Sequence, residues 1–210
     1  ALAAANEGHA MAYGNDGITK VAEATFTELF QQELAVFPVA TGTAANALAL
    51  SALTPPWGQI YCHRNAHIEE DEAGAPELFS GGAKLALLDG AHGKIAAETL
   101  ADAIAGAGFG VQHHPQPSAI SLTQATEAGT AYQPDEVAAL AKIAHGAGLS
   151  VHMDGARFAN AVAYLGCSPA EATWKAGVDV LSFGATKNGA MAAEAVIFFD
   201  PDAAGDFLYR

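Results

Sequence analysis

Two hydrophobic periods take turns along the chain. Short runs that alternate, or are wholly apolar, stand at 36–40, 59–62, 85–88, 119–122, 149–153, 178–183 and 195–199, and read as strands. Between them apolar residues recur at helical spacing. Ala22, Phe26, Leu29 and Phe30 share one face of a helix over 19–33, and Val137, Leu140, Ala141 and Ala144 share one behind Pro134. Phe158, Ala161, Val162 and Leu165 do the same up to a stop at Gly166. Ile95, Leu100 and Ile104 mark a weaker helix over 95–104, and another opens after Thr41-Gly42 and runs through Leu50. Ser168-Pro169-Ala170-Glu171 has the form of a capping box, and 201–210 looks like a helix start. Strands alternate with helices throughout, which predicts an α/β fold with a mainly parallel sheet flanked by helices. Residues 1–18 lack a strong period and read as an arm; 19–210 reads as one unit without repeats or linkers.

This pattern puts chemistry at the strand ends. The strand over 149–153 stops at Asp154-Gly155, and the strand over 178–183 runs into a loop bearing Lys187. Asp154, Arg157 and Lys187 can therefore meet at the C-terminal edge of one sheet, where open α/β sheets bind ligands. A lysine there can act as a nucleophile toward carbonyls, and an aspartate facing a pyridine nitrogen keeps it protonated. Together these are a protein's share in pyridoxal 5'-phosphate (PLP) chemistry, with arginine as a fork for a substrate carboxylate. The same three residues also suit a surface lysine and a solvated ion pair, and on their own they leave both readings open. Gly42 and Thr43 open a helix whose free amides would attract a phosphate, although many helices begin this way merely as a cap. His63 and His67 stand four apart near acidic residues, which raises a metal site, but no HExxH pattern accompanies them. Glu69, Glu70, Asp71 and Glu72 read more readily as a solvated face. His113 and His114, beside Pro115 and Pro117, read as surface histidines.

Longer words narrow the choice. AYGNDGITK, VFPVATGTAANALAL, AHIEEDEAGAPELFS, LTQATEAGTAYQPDE and HMDGARF, followed by SFGATKNG, stand in an order that resembles the low-specificity L-threonine aldolases and beta-eliminating lyases. That resemblance implies a PLP-dependent enzyme of the aspartate-aminotransferase fold (fold type I), with 19–210 as its PLP-binding large domain. It implies cleavage of threonine, allo-threonine or phenylserine to glycine and an aldehyde. It gives Lys187 the cofactor, Asp154 the ring nitrogen, Gly42 and Thr43 the phosphate, and His67 a place stacked on the ring. Gln124 would bond the ring oxygen, Arg157 would orient the substrate carboxylate or that oxygen, and Tyr13 would reach toward a neighbouring subunit's site. Many relatives carry a histidine where Thr126 stands here, and a hydroxyl is no base near neutral pH, so His67 or a water would serve. Rival readings are β-elimination or racemisation on the same cofactor, or a truncated module without turnover.

Composition adds limits. At 210 residues, with 51% hydrophobic and 15% charged, the chain suits a globular domain. The net charge of −14 disfavours nucleic acid and anionic lipid as partners, and the resemblance implies a small amino-acid substrate and a homodimer or homotetramer. Cys62 and Cys167 lack disulfide-framework or zinc spacing, and no apolar run reaches membrane-spanning length, so the expected location is cytoplasmic. Both ends look cut, which suggests part of a longer protein whose small C-terminal domain is absent.

Overall fold

A computed structural model describes residues 2–210. Seven strands form one sheet: β1 (Ala35–Val39), β2 (Gly58–His63), β3 (Lys84–Leu88), β4 (Gln116–Thr123), β5 (Ser150–Gly155), β6 (Val180–Gly184) and β7 (Glu194–Phe198). Their order is β1-β7-β6-β5-β4-β2-β3. Strands β2 to β6 pair in parallel, while β7 runs antiparallel to both β6 and β1. The helices are α1 (Leu2–Ala5), α2 (Gly17–Phe30), α3 (Gly42–Leu53), α4 (His67–Glu70), α5 (Ala75–Phe79), α6 (Ala97–Ala105), α7 (Pro134–Gly146) and α8 (Phe158–Leu165). The mainly parallel α/β sheet expected from the alternation is what forms.

Alternation along the strands divides the core between two faces. Met153, Leu181 and Ile197 join Phe30, Leu140 and Phe158 in the larger cluster, under α2, α7 and α8. Val180, Val196 and Phe198 join Ala45 and Ala49 of α3 on the other face. Small residues let α3 lie close against β5, β6 and β7. Asp154 and His152 point, by the same alternation, to the α3 face.

Several boundaries differ from expectation for local reasons. Asp16 accepts from the amides of Ile18 (2.9 Å) and Thr19 (2.8 Å), so α2 begins at Gly17, inside the expected arm. It ends at Phe30 because Gln31 turns left-handed (φ 59°), and Leu29 is exposed. Ser168 and Glu171 do exchange capping-box bonds (Ser168 N to Glu171 Oε2, 2.8 Å; Glu171 N to Ser168 Oγ, 3.2 Å), yet turns and a 3-10 segment, Trp174–Ala176, follow instead of an α-helix. Residues Pro201–Tyr209 are likewise 3-10, kinked at Gly205 (φ 42°). Among the described residues no helix is long and apolar enough to cross a membrane.

His152 ties the middle of the sheet together. Fully buried in β5, it pairs through Nδ1 with Ser121 Oγ of β4 and through Nε2 with Ser182 Oγ of β6, both at 2.9 Å. Burial lowers its pKa from 6.5 to about 3. The unfolded chain therefore binds a proton that the folded one refuses, so stability falls as pH drops from 6.5 toward 3. The loss is on the order of 4 kcal/mol at the acid end. Urea titrations at stepped pH should show this loss in the wild type and a shallower one in His152→Gln. Equal slopes would remove His152 from the acid sensitivity.

Candidate active site

The parallel strands gather their C-terminal ends at one edge, and antiparallel β7 begins there. Thr41 caps α3: its Oγ1 accepts from Ala44 N and its carbonyl from Ala45 N, both at 3.0 Å. This leaves the amides of Gly42 and Thr43 facing outward without a bond among the described residues, at the positive end of a twelve-residue helix. A Cβ on Gly42 would meet only Glu194 Oε2, at 3.6 Å, so packing within the chain does not demand glycine there. A bare Cα does let a ligand approach those amides.

Asp154, the last residue but one of β5, is 3% exposed. Its Oδ1 accepts from Ala156 N (3.0 Å) and its Oδ2 from Asn46 Nδ2 (3.1 Å), which fixes the carboxylate plane. Gly184 lets the neighbouring loop draw near, since a Cβ there would sit 2.9 Å from Ala156 Cα. Beyond it, Lys187 rides a 3-10 turn, Thr186–Asn188, pinned by Ala185 N to Ala193 O (2.9 Å) and Ala193 N to Thr186 Oγ1 (3.1 Å). Among the described residues no ion pair engages Lys187.

Asn46, one turn into α3, also donates to Glu72 Oε1 at 2.8 Å, and that oxygen is 3.0 Å from His67 Nδ1. A chain of contacts therefore runs from Asp154 through Asn46 and Glu72 to His67. Among the described residues Asn46 Oδ1 and Glu72 Oε2 are buried with no partner. Burial and the nearby Asp154 carboxylate push the Glu72 carboxyl above its usual range, against the bonds from Asn46 and His67. Gly42, Thr43, Asn46, His67, Glu72, Asp154, Lys187 and Glu194 line one cleft of about 410 Å³.

Other expected residues fall elsewhere. Arg157 closes its fork on Glu127 (2.8 and 3.2 Å) and does not line the cleft, because an acidic residue of the loop after β4 already fills its bidentate geometry. Gln124, 1% exposed, both donates to Tyr132 O and accepts from Tyr132 N at 2.9 Å; it fixes that loop and is not on the cleft wall. Thr126 bonds His92 O (3.2 Å) and Thr130 Oγ1 (2.8 Å), a clasp on the turn before α6. Tyr13 is 99% exposed and outside the cleft. Glu72 is buried rather than part of a solvated face, and His63 Nε2 meets Gly90 O at 3.1 Å. A roomier hollow of about 710 Å³ beside His92 and Tyr164 holds none of the expected site residues.

A profile of the beta-eliminating lyase family matches residues 1–208. The chain belongs to the beta-eliminating lyase family. Within this lyase family it is similar to the low-specificity L-threonine aldolase of Pseudomonas aeruginosa, 51% identical over 210 residues, covering 100% of this chain and 60% of that protein. The low-specificity L-threonine aldolase of a Pseudomonas sp. is 47% identical over the same span. The solved threonine aldolase of Leishmania major superposes with a TM-score of 0.90 at 26% identity, over 99% of this chain and 60% of that one. The chain thus spans about 60% of the length of the curated relatives that it matches over its whole length.

Asn46 and Glu194 were not singled out from the sequence. Asn46 had left a signal, the one amide side chain on a mostly apolar helix, one turn past Gly42 on the buried face. Glu194, at the first residue of β7, had none.

Proposed function

We propose that this chain is the cofactor-binding part of a PLP-dependent aldehyde-lyase. It would cleave threonine, allo-threonine or phenylserine to glycine and an aldehyde. The observation that carries this reading is the meeting of Lys187, Asp154, His67 and the open α3 amides in one cleft. The two Pseudomonas relatives named as low-specificity L-threonine aldolases support the reaction. The cleft's chemistry fits PLP: an anion end at Gly42 and Thr43, a carboxylate held in plane at Asp154, and a free amine at Lys187.

When bound, PLP supplies a protonated ring that accepts the electron pair released as the substrate's Cα–Cβ bond breaks. The Gly42 and Thr43 amides would hold the phosphate, and the Asp154 carboxylate would hold the ring nitrogen's proton. The Lys187 amine would be the covalent anchor. His67 would cover the ring. In the neutral imidazole, an Nδ1–H donated to Glu72 leaves the Nε2 lone pair to take the β-hydroxyl proton. Thr126, bonded to His92 O, has no such role.

We further place the protein in the cytoplasm, as a homodimer or homotetramer. Free Cys62 and Cys167 accord with a reducing compartment, and exposed Met11, Tyr13, Ile18 and Val21 offer a surface for a second copy. Tyr13 is there available to a neighbour's cleft.

The decisive experiment is borohydride reduction with PLP, followed by peptide mass mapping. The label is expected on Lys187. Lys142, exposed on α7, and Lys175, bonded to Gln31 Oε1 at 2.9 Å, should remain unlabelled, and label on either instead would sink the assignment. Products from L-threonine separate the reactions: glycine and acetaldehyde support cleavage, whereas ammonia and a 2-oxo acid mean β-elimination.

A further inference from the structure

The contacts between α3, α4 and β5 leave one account unbalanced. Asn46 Nδ2 donates to two carboxyl oxygens, Glu72 Oε1 at 2.8 Å and Asp154 Oδ2 at 3.1 Å. That fixes which end of the amide is which, since a flipped Asn46 would turn its carbonyl toward both acids. In this orientation Asn46 Oδ1 and Glu72 Oε2 are buried acceptors with no donor. Two orphans in one cluster are costly. With both acids ionised, the cluster would also hold two negative charges joined through one amide.

A single proton resolves both difficulties. We propose that Glu72 is held as a neutral carboxylic acid, with its proton on Oε2, so that Asp154 carries the only negative charge of the cluster. The amide and the acid then have complementary donors and acceptors: Asn46 Nδ2–H for Oε1, and Oε2–H for the orphaned Asn46 Oδ1. The His67 Nδ1–H still finds an acceptor at Glu72 Oε1, 3.0 Å away. The groups facing Glu72 are Asn46 from α3, His67 from α4 and Asp154 from β5, with Lys187 and Glu194 on the same cleft wall. Desolvation and Asp154 both raise the Glu72 carboxyl from its usual 4.5.

This inference rests on the proposed function only for its consequence, that the cofactor's ring nitrogen meets one undivided charge at Asp154. The proton itself can be read without cofactor. A carboxyl raised by folding is ionised in the unfolded chain and protonated in the folded one, so it penalises folding increasingly as pH rises above 4.5. Glutamine reproduces the neutral acid's pairing without that penalty. Glu72→Gln is therefore expected to melt at least as high as wild type at pH 7, with the advantage shrinking to nothing near pH 4.5. A Glu72→Gln protein that melts several degrees below wild type at pH 7 but matches it in acid would mean an ionised Glu72, and would overturn the proposal.

Infrared difference spectra with and without ¹³C-glutamate, compared between wild type and Glu72→Gln, supply a second reading. A protonated-carboxyl band at pH 7 that shifts with the label and is missing from Glu72→Gln supports the neutral acid, and carboxylate bands alone refute it. Neither measurement involves turnover. Failure to bind PLP at Lys187 would defeat the functional reading and leave this one standing.

Discussion

Lys187→Ala is expected to lower turnover of the PLP-loaded protein about 10³-fold or more while leaving the fold intact. The side chain is exposed at the cleft, and its turn is held by main-chain bonds and Thr186 Oγ1, none of which needs the lysine. Truncation should therefore change stability by no more than about 0.5 kcal/mol, within the usual range for an exposed site. Among the residues of the cleft wall Lys187 is the single lysine, so no neighbouring amine can replace it. Lys187→Arg separates charge from nucleophilicity, because a guanidinium keeps the cation but stays protonated. Both variants should lose the borohydride-fixed label, with unchanged circular dichroism. A Lys187→Ala protein within ten-fold of wild type would take this residue out of the chemistry.

How far the sequence could reveal the fold depended on how far each element's signal was local. The α8 face of Phe158, Ala161, Val162 and Leu165, with Gly166 in the left-handed conformation as its stop, was legible because periodicity and cap agree within nine residues. The α2 boundary was not, since Gln31 has no glycine to advertise its left-handed turn. The antiparallel placement of β7 between β1 and β6 lay beyond reach for a different reason. Strand order is set by long-range pairing, and Ala195 to Phe198 reads as apolar in either direction.

The site divides in the same way. Asp154 and Lys187 could be read from strand ends, because topology alone delivers such residues to one edge. Arg157 also follows that strand end, but its fork is closed on Glu127, thirty residues away in sequence. Gln124 likewise sits at a strand end and then turns to the backbone of Tyr132. Side-chain partners across a fold are invisible to spacing. Asn46 shows the remedy, since a buried amide on a mostly apolar helix must find partners, and here it found Glu72 and Asp154.

Asp154→Asn is the other large effect expected. Asparagine keeps an oxygen for Ala156 N but places an NH₂ where Oδ2 accepted from Asn46, so two amide donors confront each other. Relief requires Asn46 to flip, which turns its carbonyl toward Glu72 and is tolerable only if a proton lies between them. Folding should survive with a modest loss. Turnover should not, because a neutral amide no longer holds the ring nitrogen's proton. Stripping a charge from a buried, hydrogen-bonded pair removes about 3–4 kcal/mol, or about 10²–10³-fold in rate. The cause can be isolated with a cofactor analogue in which carbon replaces the ring nitrogen. On that analogue Asp154 has nothing to hold, so wild type and Asp154→Asn should turn over at similar, low rates. If the substitution has the same effect on both cofactors, Asp154 acts through Asn46 and Glu72 rather than on the ring.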